Sequence, residues 1–144
     1  MLPYLDNCCF NRPFDDQSQL RIHLESEAKL QIQTNIRSGL YILVWSYMLD
    51  YENSQNPFRE RREQIAKWCI YSEKDIVENS AIIKTAKMVR QQGIKEVDSL
   101  HLACAIEAGV DYFLTTDDGI IKKAGFVTGV KITDPIGFIK EVSA

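Results

Sequence analysis

The residues of this chain best able to do chemistry are acids that fall just past short apolar runs. Asp6 follows Leu2–Leu5, and Asp117 follows Tyr112–Leu114. Asp50 or Glu52 lies just after Leu40–Trp45, and Asp98 opens a nearly all-apolar stretch from Leu100 to Ala108. If the runs are parallel strands, their carboxyl ends line one crevice and the carboxylates converge there. Crowded carboxylates repel and resist ionising together. Hard cations relieve that repulsion, and oxygen-only ligation favours Mg²⁺ or Mn²⁺ over zinc. Two such ions suffice to hydrolyse a phosphodiester by activating water. Each acid also has a plainer reading. Asp6 can be a turn residue, Asp98 a helix cap, Asp117 or Asp118 the cap of a short helix, and Glu52 an exposed helix residue. Their shared address at strand ends is what favours the metal reading.

The elements that must position these acids alternate between two periodicities. A buried strand is predicted over Leu2–Leu5, then a loop through Asn11-Arg12-Pro13 and Asp15-Asp16. From about Ser18, Leu20, Leu24, Ala28, Ile32 and Ile36 suggest a helix stripe closed by Gly39. Leu40–Trp45 reads as a second strand, and Ser46 as the cap of a short helix carrying Met48 and Leu49. Phe58–Ile70 is predicted helical, Ile76-Val77 a short strand, and Ser80–Gln92 a helix ended by Gly93. A helix starting at Asp98 is apolar nearly all round and belongs in the interior. Strand Tyr112–Leu114, a short helix with Ile120 and Ile121, strand Val130–Ile132 and a C-terminal helix after Asp134-Pro135 complete the chain. This alternation predicts an α/β protein, a mostly parallel sheet covered on both faces, as one domain over 1–144.

Composition narrows the partners. Among 144 residues, 17 Lys+Arg face 20 Asp+Glu, a net charge of 17 − 20 = −3. That excludes coating nucleic acid by charge alone. Without Asp6, Glu52, Asp98 and Asp117 the balance is 16 acids against 17 bases, so the acidity is mostly a property of the site. No apolar run approaches the roughly 20 residues of a spanning helix. Met1–Phe10 lacks the layout of a signal peptide, so a cytoplasmic location is expected. Cys8, Cys9, Cys69 and Cys104 follow neither a zinc spacing nor a disulfide framework, and are expected as reduced thiols.

The segment Asp98-Ser-Leu-His-Leu-Ala-Cys-Ala-Ile-Glu-Ala-Gly-Val-Asp-Tyr-Phe-Leu-Thr-Thr-Asp117 resembles the PIN-domain family, the nuclease domain of VapC-type toxins. In that family one acid opens a helix and another follows the next strand. Tyr4-Leu5-Asp6 is similar to the family's first strand and first acid. The resemblance implies a three-layer α/β/α sandwich and an Mg²⁺- or Mn²⁺-dependent ribonuclease, the toxin of a toxin–antitoxin pair. Asp6, Asp98 and Asp117 would ligate metal, and Glu52 would ligate it or orient its water. Glu52 fits the family's second acid better than Asp50, which points roughly 200° away on a helix of 3.6 residues per turn. Asp118 is left as a helper or a cap. Thr115 or Thr116 would hydrogen-bond a ligand or the scissile phosphate. RNA, an antitoxin protein and a second copy of the chain are the expected partners, with no membrane.

Phosphate contacts are expected from cations near the acidic mouth. Arg12 is the best placed, ahead of Arg59, Arg61 and Arg62, diluted by Glu60 and Glu63, and of Lys122-Lys123. His101, one turn after Asp98, is expected as a core histidine satisfied by the backbone. His23 stands alone, and no nucleophile–histidine–acid arrangement suits acyl transfer. Two alternatives remain. One is a PIN-like domain that only binds nucleic acid. The other is a receiver-like signalling module, whose paired first acid and middle-strand Asp are replaced here by Asn7 and Trp45-Ser46.

Overall fold

The computed structural model describes residues 2–143. Five short strands are β1 (Pro3–Leu5), β2 (Leu43–Ser46), β3 (Ser72–Ile76), β4 (Tyr112–Leu114) and β5 (Lys131–Thr133). Eight α-helices connect them: α1 (Asn7–Asn11), α2 (Leu20–Arg37), α3 (Tyr47–Ser54), α4 (Arg59–Ala66), α5 (Ser80–Arg90), α6 (Glu96–Glu107), α7 (Asp118–Ile121) and α8 (Pro135–Val142). Every strand pair is parallel. β1, β4 and β5 form one ladder in that order, and β2 with β3 a second. β1 and β2 lie side by side, so the strands run β3-β2-β1-β4-β5 across the molecule. Each hydrogen-bonded strand pair among the described residues is thus parallel, in line with the expected mostly parallel sheet.

α2 packs with α8 and α1, while α6 packs with α5, α3 and β2, giving the outer layers of an α/β/α sandwich. Ala103, Cys104 and Ala105 are fully buried, and their small side chains let α6 approach its neighbours closely. Tyr4, Phe10, Trp45, Phe113 and Phe138 fill the core.

Four expectations need correction. The α2 residues Leu20, Leu24 and Leu30 are exposed, and Glu25, Ser26, Lys29 and Gln33 are buried beside Ile32 and Ile36. Apolar residues every four positions drift about 40° per step around a helix, so Leu20 and Ile36 occupy nearly opposite sides. Part of the segment read as a loop is helical: Asn11 ends α1, which the Asp6 side chain caps and Phe10 anchors in the core, and Arg12–Phe14 is a short 3₁₀ helix, while Asp15-Asp16 stay irregular. β3 spans Ser-Glu-Lys-Asp-Ile and leaves Val77 exposed; as an edge strand it carries charge in place of an apolar pattern. The helix expected over Phe58–Ile70 also tightens, passing from α4 into a 3₁₀ turn at Lys67–Tyr71. All four cysteines are free thiols. Among the described residues, no helix is long and apolar enough to cross a membrane.

Candidate active site

Register builds the site. Leu5 pairs with Leu114 and Leu114 with Thr133, so the residues that follow, Asp6 and Thr115, emerge at the same level. The ladder extends one step past the strands through Asp6 N–H to Leu114 O, at 2.9 Å. The Thr115 hydroxyl then donates to Asp6 Oδ2 at 2.9 Å and accepts the Asp117 backbone N–H at 3.1 Å. Asp6 Oδ1 accepts the Asn7 N–H at 2.8 Å as the cap of α1. Asp6, whose plainer reading was a turn residue, thus caps α1 while its other oxygen faces Thr115.

Glu52 comes from α3, which Ser46 starts by accepting the Leu49 N–H at 3.3 Å. Its carboxylate meets His101 Nε2, and Asp6 Oδ1 stands 4.0 Å from that same nitrogen. Donor atoms of Asp6, Glu52 and His101 all lie within 4.8 Å of one another. Asp50 turns away and accepts the Trp45 indole N–H at 2.9 Å, so of the two candidates Glu52 joins the cluster.

Asp98 sits in the first turn of α6, three residues inside a helix whose cap position is Lys95, so it does not cap it. Burial and the charges of Asp6, Asp117 and Glu52 push its carboxyl up to about 6. Asp6 is also raised, by burial first and Glu52 second, with His101 and the Thr115 hydroxyl opposing. Asp98 and Asp117 line an adjoining cleft of about 150 Å³ with Lys95 and Lys123. Asp117 caps α7 through the Gly119 N–H at 2.8 Å. Asp118 does not cap α7, and both its oxygens pair with Arg21, at 2.7 and 2.9 Å.

His101 is fully buried, as expected, but side chains satisfy it and the backbone does not. Its Nδ1 is 2.7 Å from the Tyr4 hydroxyl, itself 2.6 Å from Ser46 Oγ. A carboxylate only accepts, so Nε2 donates to Glu52. Burial alone would lower the pKa of the ring, yet Glu52, Asp6 and Asp98 outweigh it and raise it. The histidine was visible as a residue one turn after Asp98; its partners, 49 and 97 residues away, were not.

The remaining candidates divide. The Thr116 N–H donates to Cys8 Sγ at 3.3 Å and its carbonyl accepts from Arg21. Cys8 lies against Asp6 and Thr115 while Cys9 bonds to Leu114 O, so one of the two thiols faces the site. Arg12 is paired with Asp15 at 3.1 Å and with the buried Glu25 at 3.0 Å.

Parallel strands with carboxylates gathered near their carboxyl ends define an α/β protein with an acidic mouth. The chain belongs to the PIN domain family, whose model matches residues 4–126 and whose members are in general nucleases. Among solved structures it is similar to VapBC2 from Rickettsia felis bound to a DNA fragment from their promoter. That likeness has a TM-score of 0.58 at 13% identity, covering 93% of this chain and 98% of the other. At that identity it speaks for the fold. No curated protein matches the chain.

Proposed function

We propose that this protein is an Mg²⁺- or Mn²⁺-dependent endoribonuclease and the toxin of a toxin–antitoxin pair. The observation that carries the reading is the convergence of Asp6, Glu52, Asp98 and Asp117: burial and the neighbouring acids raise the Asp6 carboxyl and hold that of Asp98 at about 6 at the mouth of a cleft. Such a cluster is unfavourable by itself and suits a hard divalent cation. Asp6, Glu52, Asp98 and Asp117 would hold the metal, and His101 Nε2–H, beside Asp6 and Glu52, would orient them. Bound there, the cation supplies Lewis acidity toward a phosphate and a lowered pKa for water.

The chain's own groups do the rest. Thr115 fixes the Asp6 carboxylate, and the Tyr4–His101 pair fixes Glu52. Lys95 and Lys123, at the cleft with Asp98 and Asp117, are the cations best placed to receive backbone phosphates. Arg12, held by Glu25 and Asp15, can reach a phosphate only by exchanging a partner. The antitoxin reading draws support from the structural likeness to the VapBC2 complex. RNA as substrate, an antitoxin protein as inhibitor and a second copy of the chain are the partners this reading names.

The test is cleavage of an RNA panel with Mg²⁺, Mn²⁺ or EDTA. Cleavage with either ion, none with EDTA, and none from folded Asp6→Asn or Asp98→Asn is expected. Cleavage that survives those substitutions at matched melting temperature removes the site assignment. No cleavage anywhere favours a domain that only binds nucleic acid.

A further inference from the structure

A separate concavity of about 320 Å³ shares no lining residue with the Asp98–Asp117 cleft, and Glu52 is part of its wall. That size is within the roughly 300–1,000 Å³ of small-ligand sites. Its chemistry differs from that of the Lys95–Lys123 cleft: its wall is amide and aromatic, with a single cation, Arg61.

Several of those amides are committed to the local turn. Asn56 Nδ2 donates to Asn11 Oδ1 at 3.0 Å, Asn56 Oδ1 accepts the Phe58 N–H at 3.1 Å, and Asn11 donates to Asn7 O at 3.1 Å. Two are left over. Asn7, next in sequence to Asp6, has a buried Oδ1 with no partner among the described residues. Gln55 is exposed, and only its Nε2 is engaged, by Ser54 at 3.2 Å. That oxygen is closed to solvent, so a base edge reaches it when the Asn7 side chain turns outward, exchanging an orphaned buried acceptor for a paired one.

The aromatic part is a fixed stack. The Arg61 guanidinium lies 4.7 Å from the Phe58 ring centroid and 5.6 Å from that of Phe14. It is pinned by Asp15 at 3.0 Å and Phe14 O at 2.8 Å. Phe58 nonetheless remains 59% exposed. With Asp15 neutralising Arg61, this wall has little charge with which to attract a phosphate. A planar, hydrogen-bonding group suits it better, and bases bound as single strands are recognised by stacking on aromatic rings and amide contacts to their edges.

We propose that the groove beside Glu52 is a nucleobase subsite, taking the base of a nucleotide adjoining the scissile phosphate of a single-stranded RNA. The base stacks on Phe58, and the Asn7 and Gln55 carboxamides meet its edge. The subsite deepens the ribonuclease reading and rests on it for the position of the scissile phosphate.

The experiment is equilibrium binding of short fluorescent A, C and U homopolymers to the full chain, with Ca²⁺ in place of Mg²⁺, followed by anisotropy. Phe58→Ala should weaken binding about 5- to 150-fold, the size of one base–aromatic stack. Phe58→Trp should match or exceed the wild type. Gln55→Ala should change the ranking of the three homopolymers. Binding by Phe58→Ala within twofold of wild type, with the ranking kept, overturns the subsite even if Mg²⁺-dependent cleavage is robust. Phe58-dependent binding without cleavage in Mg²⁺ or Mn²⁺ supports the subsite and counts against the nuclease. A wild-type chain that binds none of the RNAs overturns both.

Discussion

The Tyr4 hydroxyl reaches Glu52 through one ring: His101 takes Tyr4 at Nδ1, 2.7 Å away, and gives Glu52 its Nε2 proton. The carboxylate on α3 is thereby tied to the first strand of the sheet. Partners that orient metal ligands are typically worth 10- to 100-fold in metal affinity or activity. His101→Gln should therefore lower RNA cleavage by about that factor at limiting Mg²⁺, with partial recovery as Mg²⁺ is raised. Tyr4→Phe should fall in the same direction by less, since Nε2 still faces Glu52. Titrating cleavage rate against Mg²⁺ checks both, and an unchanged midpoint for His101→Gln removes the orienting role.

Thr115 makes a second such link, on the sheet side of the cluster. One hydroxyl serves Asp6 Oδ2 and the Asp117 N–H together. Thr115→Val keeps the volume and leaves both groups without that partner, at about 1–3 kcal/mol. It should lower the melting temperature by several degrees and shrink the stabilisation that Mg²⁺ or Mn²⁺ gives. Thr115→Ser should restore most of both. A valine variant with the full metal-induced shift would show that Thr115 only fills space.

How much of this was legible follows from where the signal resides. The stretch from Asp98 to Asp117 was readable because its acids, its apolar helix and its strand are contiguous. The choice of Glu52 over Asp50 came from the family resemblance, helix geometry saying that the two point apart, and the indole of Trp45 engages Asp50. By contrast, the buried face of α2 is polar, with Glu25 held by Arg12 and Arg21 from outside its own pattern. A hydrophobic count cannot find a face stabilised by ion pairs. β3 is an edge strand whose side chains are mostly wet, so alternation is lost. The His101 network was illegible for a third reason: its bonds span the sheet, between residues that no local spacing connects.

Asp98 supplies a pH dependence. Its pKa, about 6 in the metal-free fold, is raised above the usual 3.8 of the unfolded chain. The folded state then binds more protons between those values, so this group's contribution is fully present below 3.8 and fades as pH rises through 6. Two outcomes are expected. Metal-free Asp98→Asn should melt a few degrees above wild type at pH 7.5. Metal uptake by wild type near pH 5.5 should release protons, and the variant should release fewer. Calorimetry in buffers of different ionisation enthalpy counts those protons, and equal release from both proteins would place the titration on another group.

Lys29 tests the core rather than the site. It is 2% exposed, its ammonium 5.0 Å from the ring centroids of both Phe10 and Trp68, with the amide of Gln33 as its hydrogen-bond acceptor. Burial lowers its pKa from 10.5 to about 7, with the Cys9 thiol opposing the fall and the Arg37 charge adding to it. The folded state therefore binds fewer protons than the unfolded one between those values. Stability should climb with pH across that window, and the penalty is fully present below pH 7. Lys29→Met keeps the length, removes the charge and should stabilise the fold by about 1–3 kcal/mol at pH 6.5, within the roughly 5 kcal/mol that the shift implies. The gain should shrink by pH 9, where wild-type Lys29 is already neutral when folded. Urea unfolding at pH 6.5 and pH 9 decides it, since a pH-independent gain would mean that shape, not charge, governs this position.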